Sequence, residues 1–433
     1  MVSMGRLLLL SNTTGYQAQM FRQAAEHVGV PLALATDRCH VLPDPWRDGA
    51  LAVRFQDPVA SAKKVGAFAR KYPISGVIAI GDAPTMTAAL AARDLGIEYH
   101  PPHAVEACGN KFLARERYRT AGLLVPPYTR LKLDCDTTAA AGTVPYPCVL
   151  KPLGLSASRG VIRANDQAEF IAAFARIRKL LQTADVKMMR EENSSWIQVE
   201  AFIPGREFAL EGIVTRGQLR VLALFDKPDP LDGPFFEETI YVTPSRLEQH
   251  DQQLLVECTR KAIAALGLWH GPIHAELRLN DRGPWMLEIA ARPIGGLCAG
   301  ALRFKRPPKN GGKSSAELMS LEELIVRHAL GESIETLPRE VAAAGVMMIP
   351  IPQAGIYEGV ENLEQATQVP GIERIEITAK LRQKLVPLPE GSSYLGFIFA
   401  RGKTAEEVEH ALRQAHARLH FLVSPEIPVV KAG

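Results

Sequence analysis

Short apolar runs alternate with longer amphipathic stretches through the first hundred residues, and this alternation constrains the fold more than any other feature of the chain. The runs RLLLLS, PLALAT and GVIAIG have the length of buried strands, whereas QAQMFRQAAEHVG and TMTAALAARDLG have the length and apolar spacing of helices. Strands that alternate with helices predict βαβ units around a parallel sheet. The turn after the first strand, residues 11–15, reads SNTTG and lacks the G-x-G-x-x-G pattern, so no dinucleotide site is expected there.

Composition and charge exclude several classes of protein. With 433 residues, the chain is long enough for about two to four domains. Fifty Lys and Arg residues against 47 Asp and Glu leave a formal net charge of +3, too small and dispersed to predict binding to nucleic acid or to a membrane surface. The apolar run at residues 7–10 is too short for a signal peptide or a spanning helix. The six cysteines follow no metal-binding spacing, so we expect reduced thiols and a cytoplasmic location.

Further along the chain, the pattern predicts individual elements around short loops. NKFLARERYRTAG predicts a helix that is capped by Asn110 and ended by Gly122. PCVLKP and GVIRAN predict a strand pair that flanks the loop PLGLSASRG. Near the end, short strands precede a long predicted helix, TAEEVEHALRQAHARLHF, whose first turn carries a capping box of Thr404 and Glu407. Residues 303–316 are basic and rich in Gly and Pro, which predicts a surface loop, with closure over a substrate as the alternative.

A predicted hairpin carries the strongest chemical pattern. HAELRL (274–279) and PWMLEIAAR (284–292) alternate apolar and polar residues on either side of the turn NDRG. Trp285, Leu287 and Ile289 are expected on the apolar face of the second arm. With a three-residue loop at 281–283, Glu276 lies opposite Glu288 on the other face, with Cβ atoms about 5 Å apart.

Two carboxylates in this arrangement repel each other by about 4 kcal/mol at an effective dielectric of 20. A divalent cation relieves the repulsion, and oxygen ligands with a phosphate completing the shell are the usual ligands of Mg²⁺. Two alternatives stay open from the residues alone. Arg278 and Arg292 could pair with the acids on a solvated face, or one carboxyl could have a raised pKa.

Basic and acidic residues earlier in the chain suggest a nucleotide site. Lys111 and Lys151 could neutralise phosphate oxygens, and the Gly- and Ser-rich loop at 154–160 could turn N–H groups onto them, although an ordinary hairpin is the alternative. The loop is not a Walker A motif, because no GK[ST] sequence opens a helix. Glu200 and Glu207 flank a Pro-Gly turn, where they are either exposed hairpin acids or partners for ribose hydroxyls.

In this order and spacing, four segments resemble the ATP-grasp ligases: NKFLARERYRTAGLLVPPY, PCVLKPLGLSASRGV, VEAFIPGREFALEG, and HAELRL with WMLEIAARPIGG. The resemblance covers about residues 1 to 425. It implies an α/β fold of ATP-grasp architecture with a Rossmann-like parallel-sheet domain at 1–106. An ATP-grasp domain at 107–338, with a lid subdomain at about 137–202, and a small α+β domain at 339–433 are expected to follow.

The resemblance also implies a role for each matching residue. Two lysines bind the ATP phosphates, the loop at 154–160 covers them, three hinge residues contact the adenine, and Glu207 contacts the ribose. The implied nucleotide-binding residues are Lys111, Lys151, Gly154, Ser156, Ser158, Arg159, Gly160, Glu200, Ala201, Phe202 and Glu207. Glu276 and Glu288 are the implied metal ligands, in agreement with the hairpin argument. The usual ExNxR pattern has Asn where this chain has Ala290, a departure from enzymes similar to biotin carboxylase.

Within the superfamily, EIAARPIGG and PFFEETIYVTPS are most similar to the L-amino acid ligases, which join two amino acids. In that branch, Glu238 is expected to add to the metal shell, and Arg292, Gly295 and Gly296 are expected to line the acyl-phosphate site. Tyr241 stands at a position that is often His in that branch, a departure that leaves the choice of amino acid substrate open.

The resemblance implies an enzyme that uses ATP and Mg²⁺ (or Mn²⁺) to join a carboxylate and an amine through an acyl phosphate, with release of ADP and phosphate. Amino acids, or a small carboxylate and an amine, are the expected substrates, and a homodimer is common among similar proteins. A carboxylase or a purine-pathway type of ligase with another acceptor is one alternative. A nucleotide-binding module without turnover is the other, although it has no need of the complete set of charged residues.

Overall fold

The computed structural model describes residues 5–12, 16–37, 49–188, 192–306 and 317–426. Its strands are β1 (Arg6–Ser11), β2 (Leu32–Thr36), β3 (Ala50–Ala52), β4 (Ile74–Ile80), β5 (Tyr128–Lys132), β6 (Cys148–Pro152), β7 (Ile162–Ala164), β8 (Trp196–Ala201), β9 (Arg206–Thr215), β10 (Gln218–Asp226), β11 (Ile240–Thr243), β12 (Gly271–Asn280), β13 (Gly283–Ala290), β14 (Arg303–Lys305), β15 (Leu318–Ser320), β16 (Ala343–Ile349), β17 (Gly355–Glu361), β18 (Ile372–Ile377), β19 (Lys384–Leu385), β20 (Gly396–Gly402) and β21 (His420–Ser424).

The helices are α1 (Tyr16–Val28), α2 (Pro58–Lys71), α3 (Thr85–Leu95), α4 (Pro102–Cys108), α5 (Lys111–Thr120), α6 (Thr137–Ala141), α7 (Gln167–Leu181), α8 (Ala184–Met188), α9 (Gln249–Leu266), α10 (Leu321–Ala329), α11 (Leu363–Thr367) and α12 (Ala405–Arg418). Short 3-10 helices cover Glu192–Ser195 and Cys298–Ala301. Among the residues described, no helix combines the length and the apolar character needed to span a membrane.

The chain divides into two compact units, each made of three segments. The first unit comprises Met1–Val125, Phe208–Leu224 and Leu247–Val341, and the second comprises Pro126–Glu207, Phe225–Arg246 and Ala342–Gly433. The domain boundaries expected at residues 106 and 338 stay predictions.

The first unit contains the parallel sheet predicted for the first hundred residues. Its strand order is β3-β2-β1-β4, and every pairing is parallel. The leucines at 7–10 are fully buried, because a parallel strand covered on both faces needs a continuous apolar run rather than an alternating one. The prediction of an α/β fold with an N-terminal parallel sheet is therefore confirmed.

The second unit is built from antiparallel sheets. One has the order β5-β8-β6-β7 and packs against α7, whose Phe170 and Phe174 lie in the core beneath it. A second group of strands pairs in the order β11-β16-β20-β18, with α12 against β16 and β20. A third sheet has the order β19-β17-β21. The strand pair predicted around the loop at 154–160 is β6 and β7.

The β12–β13 hairpin differs from its prediction at the turn. Asn280 pairs with Gly283, so the loop has two residues rather than three. A register shift follows Glu276, where Leu287 is the extra residue of a bulge on β13. The bulge compensates for the shorter turn, so Glu276 still pairs with Glu288. It also moves Met286 into the buried position expected for Leu287, which is only partly buried.

Two helix predictions can be compared with the structure at their ends. Asn110 caps α5 by accepting N–H bonds from Phe112 and Leu113, both at 3.1 Å, and Gly122 follows with a positive φ of 74°, as predicted. Thr404 caps α12, but this helix ends at Arg418 with Leu419 as its C-cap, and the last two predicted helical residues, His420 and Phe421, begin β21 instead. Of the loop predicted at 303–316, residues 307–316 lie outside the described part of the chain.

Candidate active site

The β12–β13 hairpin of the first unit carries the acidic pair predicted from the sequence. Glu276 and Glu288 are direct partners in the register, and both side chains are partly exposed. Lys111, the first residue of α5, places its Nζ 3.9 Å from Oε2 of Glu288. The two facing carboxylates offer oxygen ligands of the kind that suits a hard divalent cation.

Arg115, one turn further along α5, holds the bulge of β13 in place. Its buried guanidinium donates from Nη1 to the carbonyl oxygens of Met286 at 3.1 Å and Leu287 at 2.8 Å. These two residues immediately precede Glu288. The bonds satisfy carbonyls next to the bulge and tie the helix of Lys111 to the strand of Glu288.

A buried carboxylate and a histidine lie behind Glu276. Glu211 on β9 is fully buried, and its Oε2 lies 3.0 Å from Nδ1 of His274. Nε2 of the same ring lies 3.6 Å from Oε1 of Glu276. Burial opposes the positive charge of the imidazole, but the hydrogen bonds and charges of Glu211 and Glu276 outweigh it and raise the pKa of His274 to about 9.

Arg292, predicted to bind an acyl-phosphate or carboxylate group, makes a two-pronged contact with Asp82. Its Nε donates to Oδ1 at 2.6 Å and its Nη2 to Oδ2 at 3.2 Å. Asp82 belongs to the loop after β4, so the parallel sheet supplies a charged partner for this arginine. A carboxylate is thus the type of group that the Arg292 fork binds. One alternative left open by the sequence was that Arg292 pairs with the hairpin acids Glu276 and Glu288. In the structure it pairs with Asp82 instead.

The backbone after Arg292 is also anchored. The N–H of Ile294 donates to Oε1 of Glu211 at 3.1 Å. Gly296 has a positive φ of 61°, which a residue with a side chain rarely adopts. Gly295 precedes it and accepts an N–H bond from Cys298 at 3.3 Å. This anchoring gives the predicted acyl-phosphate segment a defined backbone course.

In the second unit, Lys151 on β6 contacts Glu200 on β8. Its Nζ lies 2.6 Å from Oε2, and Nε2 of Gln198 donates to the other carboxylate oxygen at 2.6 Å. The amide N–H groups of Ala201 and Phe202 donate to the carbonyl oxygens of Pro127 and Pro147, both at 2.9 Å. An adenine edge at the predicted hinge must therefore be read by groups other than these two amides.

A lysine joins the other two predicted acids of this unit. Nζ of Lys227, which is only 3% exposed, contacts Oε1 of Glu207 at 2.9 Å and also contacts Oε1 of Glu238. The same ammonium lies over the ring of Tyr241, 5.1 Å from its centroid, and this tyrosine is buried. The predicted ribose and metal residues Glu207 and Glu238 thus share one buried cation within the protein.

The loop at 154–160, predicted to cover phosphates, begins at Gly154 and is held at its far end. Arg159 donates from Nε to the carbonyl of Glu390 at 2.8 Å and from Nη2 to Asp185 at 2.7 Å. The N–H of Gly160 donates to the carbonyl of Pro389 at 2.8 Å. A Cβ on Gly160 would lie 2.6 Å from Cγ of Pro152, so glycine is required there for close packing as well as for its positive φ.

The middle of the loop contains two consecutive residues, Ala157 and Ser158, with φ of 54°. Residues with a Cβ pay about 1–2 kcal/mol in this region of backbone space. The carbonyl of Ser156 accepts from the N–H of Arg159 at 3.2 Å, which closes a turn around them. Such local strain is typical of segments that bind ligands.

Family models match the chain in three places. The ATP-grasp N-terminal domain matches residues 22–97, the ATP-grasp domain matches residues 144–301, and the L-amino acid ligase C-terminal domain 2 matches residues 347–424. The chain contains ATP-grasp domains and an L-amino acid ligase C-terminal domain. All three matches fall within residues 1 to 425, which the resemblance covers, and the match at 144–301 contains three of the four sequence motifs, so the predicted resemblance is confirmed.

Individual relatives of this ATP-grasp chain are distant. An uncharacterized protein of Sinorhizobium fredii, y4rH, is 21% identical over 98% of this chain and 84% of its own length. Alanine–anticapsin ligase of Bacillus subtilis is 28% identical over 48% of this chain, a match that spans 46% of that enzyme. The crystal structure of the L-amino acid ligase from Bacillus licheniformis superposes with a TM-score of 0.76 and 24% identity, over 98% of this chain and all of that one. This superposition supports the same ATP-grasp fold.

In each of the two units, the structure shows contact residues that were not found from the sequence. Glu211 and His274 could have been noticed, because Glu211 follows Glu207 at strand period two and His274 precedes Glu276 by the same spacing. The other three are Asp82, Arg115 and Lys227. The sequence motifs gave no indication of these three contact residues, because each binds a residue that lies outside its own segment of the chain.

Proposed function

We propose that this ATP-grasp protein is an ATP- and Mg²⁺-dependent carboxylate–amine ligase that joins amino acids, in the simplest case to a dipeptide. The observation that carries the proposal is the pair of facing carboxylates, Glu276 and Glu288, in the same unit as Lys111 and the carboxylate-binding fork of Arg292. The match of residues 347–424 to the L-amino acid ligase C-terminal domain supports amino acids as the substrate class.

In this proposal the chain's own side chains prepare the triphosphate for transfer. Lys111 and Lys151 neutralise phosphate oxygens, and the strained loop at 154–160 covers them and excludes water. Glu200 orients the base together with groups of Ala201 and Phe202 other than their bonded amide N–H groups, and Glu207 binds the ribose. Lys151 contacts Glu200, and Glu207 contacts Lys227. These contacts hold the charged groups in position before the nucleotide binds.

The residues of the hairpin fit a divalent metal ion. Glu276 and Glu288 offer facing carboxylate oxygens, and the bonds of Arg115 hold the strand that carries the second of them. When bound, the metal supplies positive charge at the transferring phosphoryl group. Glu238 is the third proposed ligand, and its contact with Lys227 means that metal binding there exchanges one cation for another.

Arg292 binds the carboxylate that is to be phosphorylated and then the tetrahedral oxyanion formed when the amine attacks the acyl phosphate. A planar guanidinium gives both oxygens a hydrogen bond, as it does for Asp82 in this structure. Gly295 and the positive φ of Gly296 let the backbone approach the same group closely.

Product analysis tests the proposed function. The protein is incubated with ATP, Mg²⁺ and pairs drawn from a panel of free amino acids, and products are followed by a coupled ADP assay and ³¹P NMR. We expect ADP and phosphate, with turnover stimulated by pairs of amino acids over single ones. AMP and pyrophosphate would overturn the γ-phosphoryl mechanism, turnover that requires bicarbonate would indicate a carboxylase, and nucleotide binding without turnover would indicate a binding module.

A further inference from the structure

A continuous chain of contacts within the first unit connects the segment of Arg292 to the acidic hairpin. Oε1 of Glu211 accepts the N–H of Ile294 at 3.1 Å, and Oε2 contacts Nδ1 of His274 at 3.0 Å. On the far side of the imidazole ring, Nε2 lies 3.6 Å from Oε1 of Glu276. One carboxylate and one ring therefore join two parts of the proposed site.

Burying the carboxylate of Glu211 costs free energy, so its contacts with Ile294 and His274 are needed to keep it inside the protein. A carboxylate removed from water is tolerated only when its oxygens are hydrogen-bonded or paired with charge. Glu211 is fully buried and uses one oxygen for a backbone amide and the other for an imidazole nitrogen. The bond at Nδ1 also fixes the plane of the ring, so that Nε2 is directed at Glu276.

We propose that Glu211 and His274 are positioning residues that orient the carboxylate of Glu276 for a divalent metal ion and hold the segment after Arg292 in register with it. This inference rests on the proposed function, since it takes Glu276 as a metal ligand. Outer partners of metal ligands act in this way by restricting the ligand to one orientation.

Two substitutions at His274 separate orientation from charge. His274→Asn keeps a donor near the Nδ1 position, so it retains the contact with Glu211 and loses the contact with Glu276. His274→Gln places its donor near the Nε2 position, so it retains the contact with Glu276. Both variants remove the imidazole and its charge equally, so any difference between them reports the direction of the retained contact.

The readout is binding of Mn²⁺ to the full-length protein with saturating ADP, measured by electron paramagnetic resonance of the free ion. We expect the Mn²⁺ dissociation constant to rise about tenfold in His274→Asn and clearly less in His274→Gln. Glu211→Ala, which releases the ring, is a second variant with the same expectation of about tenfold. His27→Asn and His27→Gln are the matched controls, because His27 lies 3.8 Å from Glu323 but is exposed and has no proposed role in the site.

Equal losses in His274→Asn and His274→Gln would overturn the inference, since charge alone would then explain them. Unchanged Mn²⁺ affinity in both His274→Asn and Glu211→Ala, or absence of Mn²⁺ binding to the wild type, would overturn it as well. Failure of the proposed function is a separate result. In that case amino acids fail to stimulate ADP release, while the Mn²⁺ affinities of the variants still differ as expected.

Discussion

Two pairs of glutamates in this protein differ in what neutralises them. In the first unit, Glu276 and Glu288 face each other across a hairpin, and the ammonium of Lys111 lies 3.9 Å from one of them. In the second unit, Glu207 and Glu238 both contact the buried ammonium of Lys227. Glu276 also lies 3.6 Å from Nε2 of His274, so each glutamate of the first pair has its own basic neighbour and both stay partly exposed, whereas the second pair shares one buried ammonium. The same residue type thus serves two electrostatic roles, which depend on a third residue.

Removing a charge from the first pair is expected to have the largest effect. Glu288→Gln should retain the fold but lower Mg²⁺-dependent ADP release about a thousandfold, because several kcal/mol of metal-assisted stabilisation correspond to about three powers of ten. Thermal stability should stay equal or rise slightly, since repulsion against Glu276 is relieved. Glu257→Gln, an exposed position on α9, is the control. Undiminished turnover at saturating Mg²⁺ would remove Glu288 from the metal site.

Removing the internal cation tests the second pair. Lys227→Met leaves Glu207 and Glu238 close together without their shared ammonium and should lower the free energy of unfolding by about 3 kcal/mol. Urea denaturation measures the change. The double variant Lys227→Met with Glu238→Gln should recover part of the loss, because one of the unpaired charges is gone. If the single variant were as stable as the wild type, the two pairs would not differ in the way described.

Arg292 differs from both glutamate pairs, because its proposed partner is the carboxylate of the substrate. Arg292→Lys should lower amide formation by about tenfold to a hundredfold, since an ammonium cannot reproduce two parallel bonds to a carboxylate. ADP affinity, measured by calorimetry, should change little. Normal amide formation with weak ATP binding would show that Arg292 serves the nucleotide instead.

The smallest expected effect is the dependence of the free energy of unfolding on pH, which comes from buried histidines. Burial lowers the pKa of His100 to about 4 and of His328 to about 3, so both are neutral in the folded protein at pH 7. The unfolded chain, with histidine pKa values near 6.5, binds protons first as the pH falls. These two histidines should therefore lower stability by roughly 1 kcal/mol between pH 7 and pH 6. Above pH 7 stability should also fall, because His274, whose pKa is raised to about 9, loses its stabilising proton there. Urea denaturation at several pH values checks this, and a constant midpoint from pH 7 to 5 would contradict it.

Much of the architecture could be predicted because it depends on local patterns. Periodicity predicted the parallel sheet, α5 with its Asn110 cap, and the strands around the loop at 154–160. The pairing of Glu276 with Glu288 was also predicted. The structure reaches it differently, because the turn is shorter by one residue than expected and a bulge at Leu287 compensates for the difference. Bulges depend on what packs behind a strand, here the guanidinium of Arg115, so the alternation of residue types does not reveal them.

Neighbouring residues by themselves determined which segments form strands and helices and which acidic and basic side chains a hairpin or loop presents, since backbone periods and turn preferences act over a few residues. The tertiary structure alone decided which charges neutralise one another. Asp82 reaches Arg292 across 210 residues, Glu211 reaches His274 across 63, and Lys227 joins Glu207 across 20. Coulomb energy depends on distance in space and on burial, neither of which is written in the spacing of residues along the chain.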